Sequence, residues 1–253
     1  MPNPCPVLLI NLAGSKDRLA TAQAELSRSG LSFERIEAVD GRLRSAEQLA
    51  QLAPWDRAAF FKPLSPGEVG CYLSHVAAAE RIVQAGWPCA VVLEDDFRLK
   101  EGFAEALAAL AARPSLPHMV KFEGRLSGGE AVGMLDSGHW LMRYRRPPIN
   151  AIAYLWTQEG ARRFLEVARP LRRPVDVQFK HWWEGDLDIV SLAPPTVTHD
   201  LAHAGASTIG VRRTSSLATR LRQWRYRLAY AFESQWQLLR RYGFLAWLRV
   251  NLG

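Results

Sequence analysis

Apolar runs alternate with periodic stretches along the chain and predict an α/β body. Residues 7–12 form a short apolar run, followed by a glycine, a serine and an alanine-rich stretch to about residue 29. This pattern indicates a buried strand, a turn and a helix. A second apolar run, residues 89–93, contains two adjacent valines and predicts another buried strand. A helix, a strand, a glycine-rich loop and a strand with its helix are predicted at residues 101–112, 118–123, 124–138 and 151–168.

The segment that begins at Ser65 carries a strong signal for the start of a helix. Ser65 can cap the first turn, Pro66 fits the first helical position, and Glu68 can reach back to close a capping box. We therefore predict a helix that runs to about residue 85, before Gly86.

Three consecutive acids, Glu94, Asp95 and Asp96, follow the predicted strand at residues 89–93. In open α/β sheets, ligands bind at the carboxyl ends of the strands. Adjacent carboxylates repel one another, and a hard divalent cation such as Mg²⁺ or Mn²⁺ is the usual compensation. Acidic triplets at strand ends also cap a following helix, so the triplet alone leaves both interpretations open.

Four blocks of the sequence, in their order and spacing, form a recognisable set. The blocks are Ile10-Asn11-Leu12 with Asp17-Arg18, Ala38-Val39-Asp40-Gly41, Leu64-Ser65-Pro66-Gly67-Glu68-Val69-Gly70-Cys71-Tyr72-Leu73-Ser74-His75, and Val91-Val92-Leu93-Glu94-Asp95-Asp96. In this arrangement they resemble glycosyltransferase family 25, which contains lipopolysaccharide-type galactosyltransferases and collagen galactosyltransferases. A weaker resemblance continues to about residue 205.

The resemblance implies a GT-A-like fold, a nucleotide-binding α/β sandwich, over residues 1–211. It also implies that Mn²⁺ or Mg²⁺ is held by the acidic motif against the diphosphate of a UDP-sugar, with UDP-galactose as the expected donor. The implied metal ligands are Asp96, Glu94 and a late histidine, His199, with His203 as the alternative. The spacing of His199 and His203 also suits zinc, but no third ligand follows a zinc pattern.

The same blocks imply a set of donor-binding residues. Three of them have an ordinary structural alternative: Arg18 could form a helix salt bridge, Asp40 could sit in a turn, and His75 could be a buried core histidine. The expected donor-binding residues are Asn11, Arg18, Asp40, Glu68, Ser74, His75, Glu94 and Asp95.

Transfer with inversion needs a carboxylate that deprotonates the acceptor hydroxyl. Asp176 matches an aspartate of the family and is the expected base, with a helix N-cap as the alternative role. Glu123, at the end of a predicted strand, is the second candidate.

Composition excludes several classes of protein. Hydrophobic residues make up 48% and charged residues 23%, as in ordinary globular proteins. No apolar run approaches the roughly 20 residues that cross a bilayer, which excludes a transporter, and no basic segment precedes the first apolar run, so export is not expected. The three cysteines, Cys5, Cys71 and Cys89, form no CxxC pair, which predicts no disulfide framework and favours a reducing cytoplasm.

The excess positive charge is concentrated in a C-terminal tail, residues 212–253. This tail has nine arginines and one acid, Glu233, whereas residues 1–211 are nearly neutral. A dedicated nucleic-acid domain would spread basic residues over its body, so no nucleic-acid partner is expected. An apolar helical face in the tail could dock on the body or bind an anionic membrane surface. Membrane binding is the favoured interpretation. This face consists of Leu217, Leu221, Trp224, Leu228 and Phe232.

The sequence thus predicts a GT-A-like domain at residues 1–211 with a basic amphipathic helical tail at residues 212–253. The expected function is an inverting glycosyltransferase that moves a hexose from a UDP-sugar to a glycan or glycolipid acceptor in lipopolysaccharide or cell-surface glycan biosynthesis. The expected location is cytoplasmic and peripheral, at the inner face of the cell membrane. The alternative is a non-catalytic protein that binds membrane or nucleic acid on an inactive transferase-like body.

Overall fold

A computed structural model describes residues 5–200 and 216–252. These residues form ten strands and seven α-helices. The strands are β1 (Val7–Asn11), β2 (Glu34–Glu37), β3 (Cys89–Glu94), β4 (Phe97–Leu99), β5 (Met119–Lys121), β6 (Gly129–Met134), β7 (Trp140–Tyr144), β8 (Ala153–Thr157), β9 (Ile189–Ala193) and β10 (Val197–His199). The helices are α1 (Lys16–Arg28), α2 (Ala46–Leu52), α3 (Pro66–Ala85), α4 (Phe103–Ala111), α5 (Gln158–Val167), α6 (Val175–Lys180) and α7 (Leu217–Leu252).

Eight strands form one mixed sheet in the order β2-β1-β3-β8-β5-β9-β7-β6, and β4 pairs with β10 in a separate ribbon. Strand β1 runs parallel to β2 and β3, and β5 runs parallel to β9. Strand β8 is antiparallel to both β3 and β5, and β6 and β7 form an antiparallel edge. This architecture confirms the predicted α/β class, while the GT-A assignment stays a prediction.

The central strand β3 has helices packed on both of its faces. Its side chains alternate between two apolar clusters, as the two-residue period of a strand requires. Ala90 and Val92 face the cluster that includes residues of α3 and α5, while Val91 and Leu93 face the cluster that includes residues of α1 and α4. Burial on both faces explains why this strand is a continuous apolar run in the sequence.

Strands β1 and β3 end at the same edge of the sheet. Ile10 pairs with Glu94 in the parallel register, so Asn11 and the acidic triplet emerge side by side. The predicted helix α3 begins as expected, with Ser65 and Glu68 forming both bonds of the capping box, and it ends at the left-handed residue Gly86. The motif residues of β1 and α3 therefore lie near the acidic triplet at the carboxyl end of β3.

The prediction of a loop at residues 124–138 was wrong, because β6 lies within it and pairs with β7. Strand β6 is at the sheet edge, and its residues are exposed or only half-buried. An exposed edge strand needs no apolar alternation, so its glycine-rich sequence was typical of a loop instead.

The prediction that the chain has no disulfide was also wrong. Cys5 and Cys89 are bonded, with their Cα atoms 5.4 Å apart. Val7 pairs with Val91 between parallel β1 and β3, so the residues two positions earlier meet as well. Disulfides are rare in reducing compartments, so the cysteines no longer support the cytoplasmic location that we expected.

The tail forms helix α7, interrupted by a non-helical conformation at Gly243. Tyr230, Leu238 and Val250 are buried against the body, whereas the predicted apolar face of the tail, from Leu217 to Phe232, is exposed. None of the helices in residues 5–200 and 216–252 combines the length and apolar character needed to cross a membrane. The predicted boundary at residues 211 and 212 and the alternative ligand His203 lie outside the described residues.

Candidate functional site

Two adjoining cavities open at the edge where β1 and β3 end. The first cavity is lined by eight residues that the sequence singled out, and the second cavity, of about 800 Å³, lies beside it. Cys71 and Glu94 line both. The first cavity includes Asn11, Arg18, Asp40, Ser74, His75, Glu94, Asp95 and Asp96 in its lining. The second includes Glu68, Arg146, Asn150, Asp176, Lys180, His199, Tyr226, Arg227 and Tyr230.

Asp95 is held by two residues from the first βα unit. Asn11 donates from Nδ2 to Oδ2 of Asp95 at 2.7 Å, and Arg18 donates to Oδ1 at 3.1 Å. Arg35 in turn donates to the Oδ1 of Asn11 at 3.0 Å. Arg18 thus forms the ion pair that was its structural alternative, but with the acidic triplet and within the first cavity. Both oxygens of Asp95 are engaged, which leaves Glu94 and Asp96 as the freer carboxylates.

Glu94 is positioned by a buried histidine. Nε2 of His75 lies 3.0 Å from Oε1 of Glu94, and Nδ1 of His75 lies 2.6 Å from the hydroxyl of Tyr154. Burial would raise the pKa of Glu94, but the hydrogen bond and charge of His75, with the charges of His199 and Arg18, outweigh it and lower that pKa. His75 is only 1% exposed. It is therefore a core histidine and a partner of the acidic triplet at once.

Asp96 has the features of a cation ligand. Burial, reinforced by the Glu94 carboxylate, raises the pKa of Asp96 from 3.8 to about 6. Its Oδ1 atom is buried and has no hydrogen-bond partner among the described residues. An unpartnered carboxylate oxygen is costly unless a cation or another donor approaches it.

His199 comes close to the acidic triplet through the small ribbon. It pairs with Phe97 in the register of β10 and β4, and the amide of Asp200 donates to the backbone oxygen of Asp96 at 2.7 Å. The oxygens of Glu94 and Asp96 and an imidazole are a donor set that suits Mn²⁺ or Mg²⁺. The wall between the cavities offers a further set, because ligand atoms of Cys71, His75 and Glu94 lie within 4.8 Å of one another.

The loop that carries Asp40 is pressed against the start of α3. A Cβ on Gly41 would lie 1.9 Å from the oxygen of Pro66, and a Cβ on Gly70 would lie 2.4 Å from the oxygen of Val39. Only glycine allows the two backbones to approach this closely. The glycines in the two sequence blocks thus fix one wall of the first cavity.

Ser74 and Asp40 support this wall by local hydrogen bonds. The hydroxyl of Ser74 accepts from the amide of Val39 at 2.9 Å and donates to the oxygen of Gly70 at 2.8 Å. Asp40 accepts from the amide and guanidinium of Arg42, and the hydrogen bond from that guanidinium lowers the pKa of Asp40. Asp40 is therefore the turn aspartate of the structural alternative, in a turn that lines the first cavity.

Glu68 is the predicted donor residue that lines only the second cavity. Its carboxylate closes the capping box of α3 and pairs with Lys62 at 2.7 Å. It lines the second cavity and is not part of the first. Helix capping and this ion pair account for Glu68 within the described residues.

Asp176 does not cap helix α6. Pro174 occupies the capping position of α6, so the N-cap alternative for Asp176 was wrong. Asp176 accepts from the amide of Val177 at 2.8 Å and lines the second cavity together with Glu94. Burial raises its pKa, which increases its affinity for a proton. These properties suit a base.

Glu123 lies behind the second cavity. Asn150, which lines that cavity, donates to Oε2 of Glu123 at 2.8 Å, while Oε1 is buried without a hydrogen-bond partner among the described residues. Burial raises the pKa of Glu123. Its carboxylate therefore orients Asn150.

Lys121 supports the segment that carries Asn150, and the sequence analysis did not identify this role. This lysine is fully buried, and Nζ donates to the backbone oxygens of Pro148 and Asn150. Burial lowers the pKa of Lys121 from 10.5 to about 8. The sequence did contain a signal for this role, namely a lysine inside an apolar strand. A lysine is seldom buried without partners, so its position indicated a structural or functional contact. Tyr226 and Tyr230, from α7, were missed because only the fold brings the tail to the second cavity.

The family model and the relatives found by comparison with known proteins agree on one family. The model of glycosyltransferase family 25 (LPS biosynthesis protein) matches residues 5–128. The inactive glycosyltransferase 25 family member 3 of Mus musculus is 28% identical over 221 residues, which cover 74% of this chain and 36% of the relative. This chain thus spans about a third of the length of that relative.

Two further relatives are named as galactosyltransferases. Procollagen galactosyltransferase 2 of Homo sapiens is 30% identical over 109 residues, covering 41% of this chain and 17% of the relative. Procollagen galactosyltransferase 1 of Danio rerio is 32% identical over 109 residues, covering 41% and 18%. The resemblance carried by the four sequence blocks is therefore confirmed, because residues 5–128 match the model of glycosyltransferase family 25 and relatives named as members of that family are similar to this chain.

Proposed function

We propose that this chain transfers a hexose, galactose in our assignment, from a UDP-sugar to a hydroxyl of a glycan or glycolipid acceptor with inversion. The observation that carries the proposal is the buried, unpartnered Oδ1 of Asp96 beside Glu94, at the sheet edge where ligands bind. The galactosyltransferase relatives support the choice of sugar.

Glu94, Asp96 and His199 are the residues that would hold the divalent cation. When bound, a Mn²⁺ or Mg²⁺ ion offsets the charge of a leaving diphosphate. His75 keeps Glu94 ionised and oriented. Asn11 and Arg18 donate to both oxygens of Asp95, so this carboxylate is not assigned as a metal ligand. In this assignment the first cavity receives the nucleotide of the donor.

Asp176 is our assignment for the base. Its carboxylate takes the proton of the acceptor hydroxyl as that oxygen attacks the anomeric carbon, and the bond from this carbon to the diphosphate breaks, so that UDP leaves. Asp176 faces the second cavity, whose volume of about 800 Å³ suits a sugar acceptor. The shared wall at Glu94 brings the two substrates together.

The outer face of α7 supports a peripheral membrane location in lipopolysaccharide or cell-surface glycan biosynthesis. Leu217 is 83% exposed and Phe232 is 75% exposed, although both belong to the apolar face of the helix. Exposed arginines, Arg220 and Arg225, flank this face. Apolar side chains edged by basic ones match the surface of an anionic membrane.

The assay for this function is UDP binding and UDP release with a panel of UDP-sugars and with Mn²⁺ or Mg²⁺. We expect metal-dependent UDP binding in the wild type and its loss in Asp96→Asn, while Asp136→Asn, an exposed acid outside both cavities, behaves as the wild type. A relative that covers 74% of this chain is named inactive, so the assay also tests the non-catalytic alternative. Folded protein that neither binds nor releases UDP under any of these conditions would favour that alternative.

A further inference from the structure

Three basic residues from different elements converge at the second cavity. They are Arg146 in the segment after β7, Lys180 at the end of α6 and Arg227 in α7, and we call them the basic triad. The Lys180 Nζ lies 4.7 Å from the centre of the Tyr230 ring, and the Arg146 Cζ lies 5.9 Å from the same centre. Arg227 lies one helical turn before Tyr230. Two of the three cations thus lie near one aromatic ring, and the third belongs to the same helix as that ring.

The basic triad forms no salt bridge with an acid within residues 5–200 and 216–252. By contrast, Arg18 and Arg173 near the same site are each paired with a carboxylate. Burial and the charges of Arg146 and Arg227 lower the pKa of Lys180 by more than the carboxylate of Asp176 raises it, so positive charge is in excess around this lysine. A cavity wall built in this way favours an anionic ligand.

The location of the triad limits what that ligand is. Asp176 and Lys180 are one turn apart on α6, so their Cβ atoms are about 6 Å apart. A hydroxyl at Asp176 and an anionic group at Lys180 therefore belong to the same sugar or to adjacent sugars. Arginine and lysine bind phosphate and carboxylate groups, and the ring of Tyr230 offers a flat surface for the sugar itself.

We propose that the second cavity selects an anionic acceptor, a sugar that carries a phosphate or carboxylate on the reacting residue or the next one. The proposal rests on the proposed transfer to an acceptor and names the chemical class of that acceptor. The basic triad binds the anionic group, while Asp176 faces the reacting hydroxyl. Residues of the first cavity, separate from the triad, remain available to the donor.

The test measures sugar binding by calorimetry on the full chain, in the presence of saturating UDP and Mn²⁺ and again without them. The probes are galactose 6-phosphate, galacturonate, neutral galactose and inorganic phosphate. We expect an anionic sugar to bind at least tenfold more tightly than galactose, and more tightly than inorganic phosphate. The phosphate and carboxylate probes distinguish which anionic group the cavity prefers.

The variant is Arg146→Gln combined with Lys180→Gln, and the control is Arg162→Gln, an exposed arginine of α5 that does not line the cavity. We expect the double variant to lose at least tenfold in affinity for the anionic sugar while its affinity for UDP stays within twofold. The control should match the wild type in both measurements.

Three results would overturn the proposal. They are equal binding of galactose and the anionic sugars, equal binding of inorganic phosphate and the anionic sugars, or a loss of UDP affinity in the double variant, which would assign the triad to the donor diphosphate. Failure of the wild type to bind UDP would instead contradict the proposed function. The titrations without UDP would still report the preference for anionic sugars.

Discussion

His75 and Glu94 connect the long helix α3 to the acidic end of β3, with Nε2 of the histidine 3.0 Å from Oε1 of the carboxylate. The other ring nitrogen lies 2.6 Å from the hydroxyl of Tyr154, on the neighbouring strand β8. When Nε2 carries the hydrogen, it donates to Glu94, and Nδ1 accepts from Tyr154. Three elements therefore fix the orientation of a single carboxylate at the proposed metal site.

The first prediction concerns the two hydrogen bonds that His75 forms. Replacing His75 with Gln should weaken Mn²⁺-dependent UDP binding by about 10- to 100-fold, as expected when a residue that orients a metal ligand is lost. Tyr154→Phe should have a smaller effect, because it removes only the outer hydrogen bond. Calorimetry with UDP and Mn²⁺ measures both, with circular dichroism as the control for folding. Wild-type affinity in folded His75→Gln would show that Glu94 needs no such support.

The second prediction separates the base from the donor site. Asp176→Asn should lower kcat by on the order of a hundredfold or more while leaving the Kd for UDP unchanged, because the residue faces the acceptor side. Glu123→Gln should lower kcat less, since Glu123 acts through Asn150. Steady-state release of UDP measures kcat in each variant. A larger loss in Glu123→Gln than in Asp176→Asn would transfer the role of base to Glu123.

The third prediction tests the close approach of the Asp40 loop to α3. Gly41→Ala should destabilise the protein by about 3 kcal/mol, because the new Cβ would overlap the backbone oxygen of Pro66. Gly14→Ala is the matched control, since no atom lies within 4 Å of its added Cβ, and it should change stability by about 0.5 kcal/mol or less. Urea unfolding measures both. Equal stability of the two variants would refute the close approach of the Gly41 and Pro66 backbones.

Local signals allowed much of the first half of the fold to be predicted. The capping box at Ser65 and Glu68 and the apolar run of β3 are encoded by neighbouring residues, and both elements have nearly their predicted bounds. The acidic triplet was found because three adjacent carboxylates are unusual after an apolar strand. These features need no knowledge of what else packs against them.

Other features depend on pairings between distant segments and could not be predicted in this way. The Cys5–Cys89 bond joins residues 84 positions apart, and it follows from the pairing of β1 with β3. The role of Asn11 and Arg18 in holding Asp95 likewise depends on that pairing. Tyr230 reaches the second cavity only because α7 packs back on the body.

The fourth prediction concerns stability at low pH. Burial, with the nearby charge of Arg173, lowers the pKa of His181 from 6.5 to about 4. Between these values the unfolded chain binds a proton that the native protein does not bind, so the free energy of unfolding should fall as pH falls from 6.5 to 4. His181→Gln should reduce that loss by on the order of 2 kcal/mol.

Urea unfolding of the wild type and the variant at several pH values measures this effect. Other groups titrate in the same range, so the difference between the two proteins is the quantity of interest. Nδ1 of His181 contacts the oxygen of Val177 at 2.9 Å, a bond that the amide of glutamine can replace. Parallel pH profiles would show that His181 is not the group responsible.

The last prediction concerns the exposed apolar face of α7. Deleting the helix would uncover the core, since Tyr230, Leu238 and Val250 are buried, so single substitutions give the sharper test. Wild-type protein should bind vesicles that contain phosphatidylglycerol and bind purely zwitterionic vesicles much less. Trp224→Ser should weaken binding at every salt concentration, because it removes apolar contact.

Arg220→Gln with Arg225→Gln should instead weaken binding mainly at low salt, since each basic residue near an anionic surface contributes about 1 kcal/mol and salt screens this attraction. Arg162→Gln, an exposed arginine on α5, is the control and should bind as the wild type. Vesicle co-sedimentation between low and high salt separates the two contributions. If the wild type fails to bind anionic vesicles at low salt, or if Trp224→Ser binds them equally well, the apolar face must serve a partner other than the membrane.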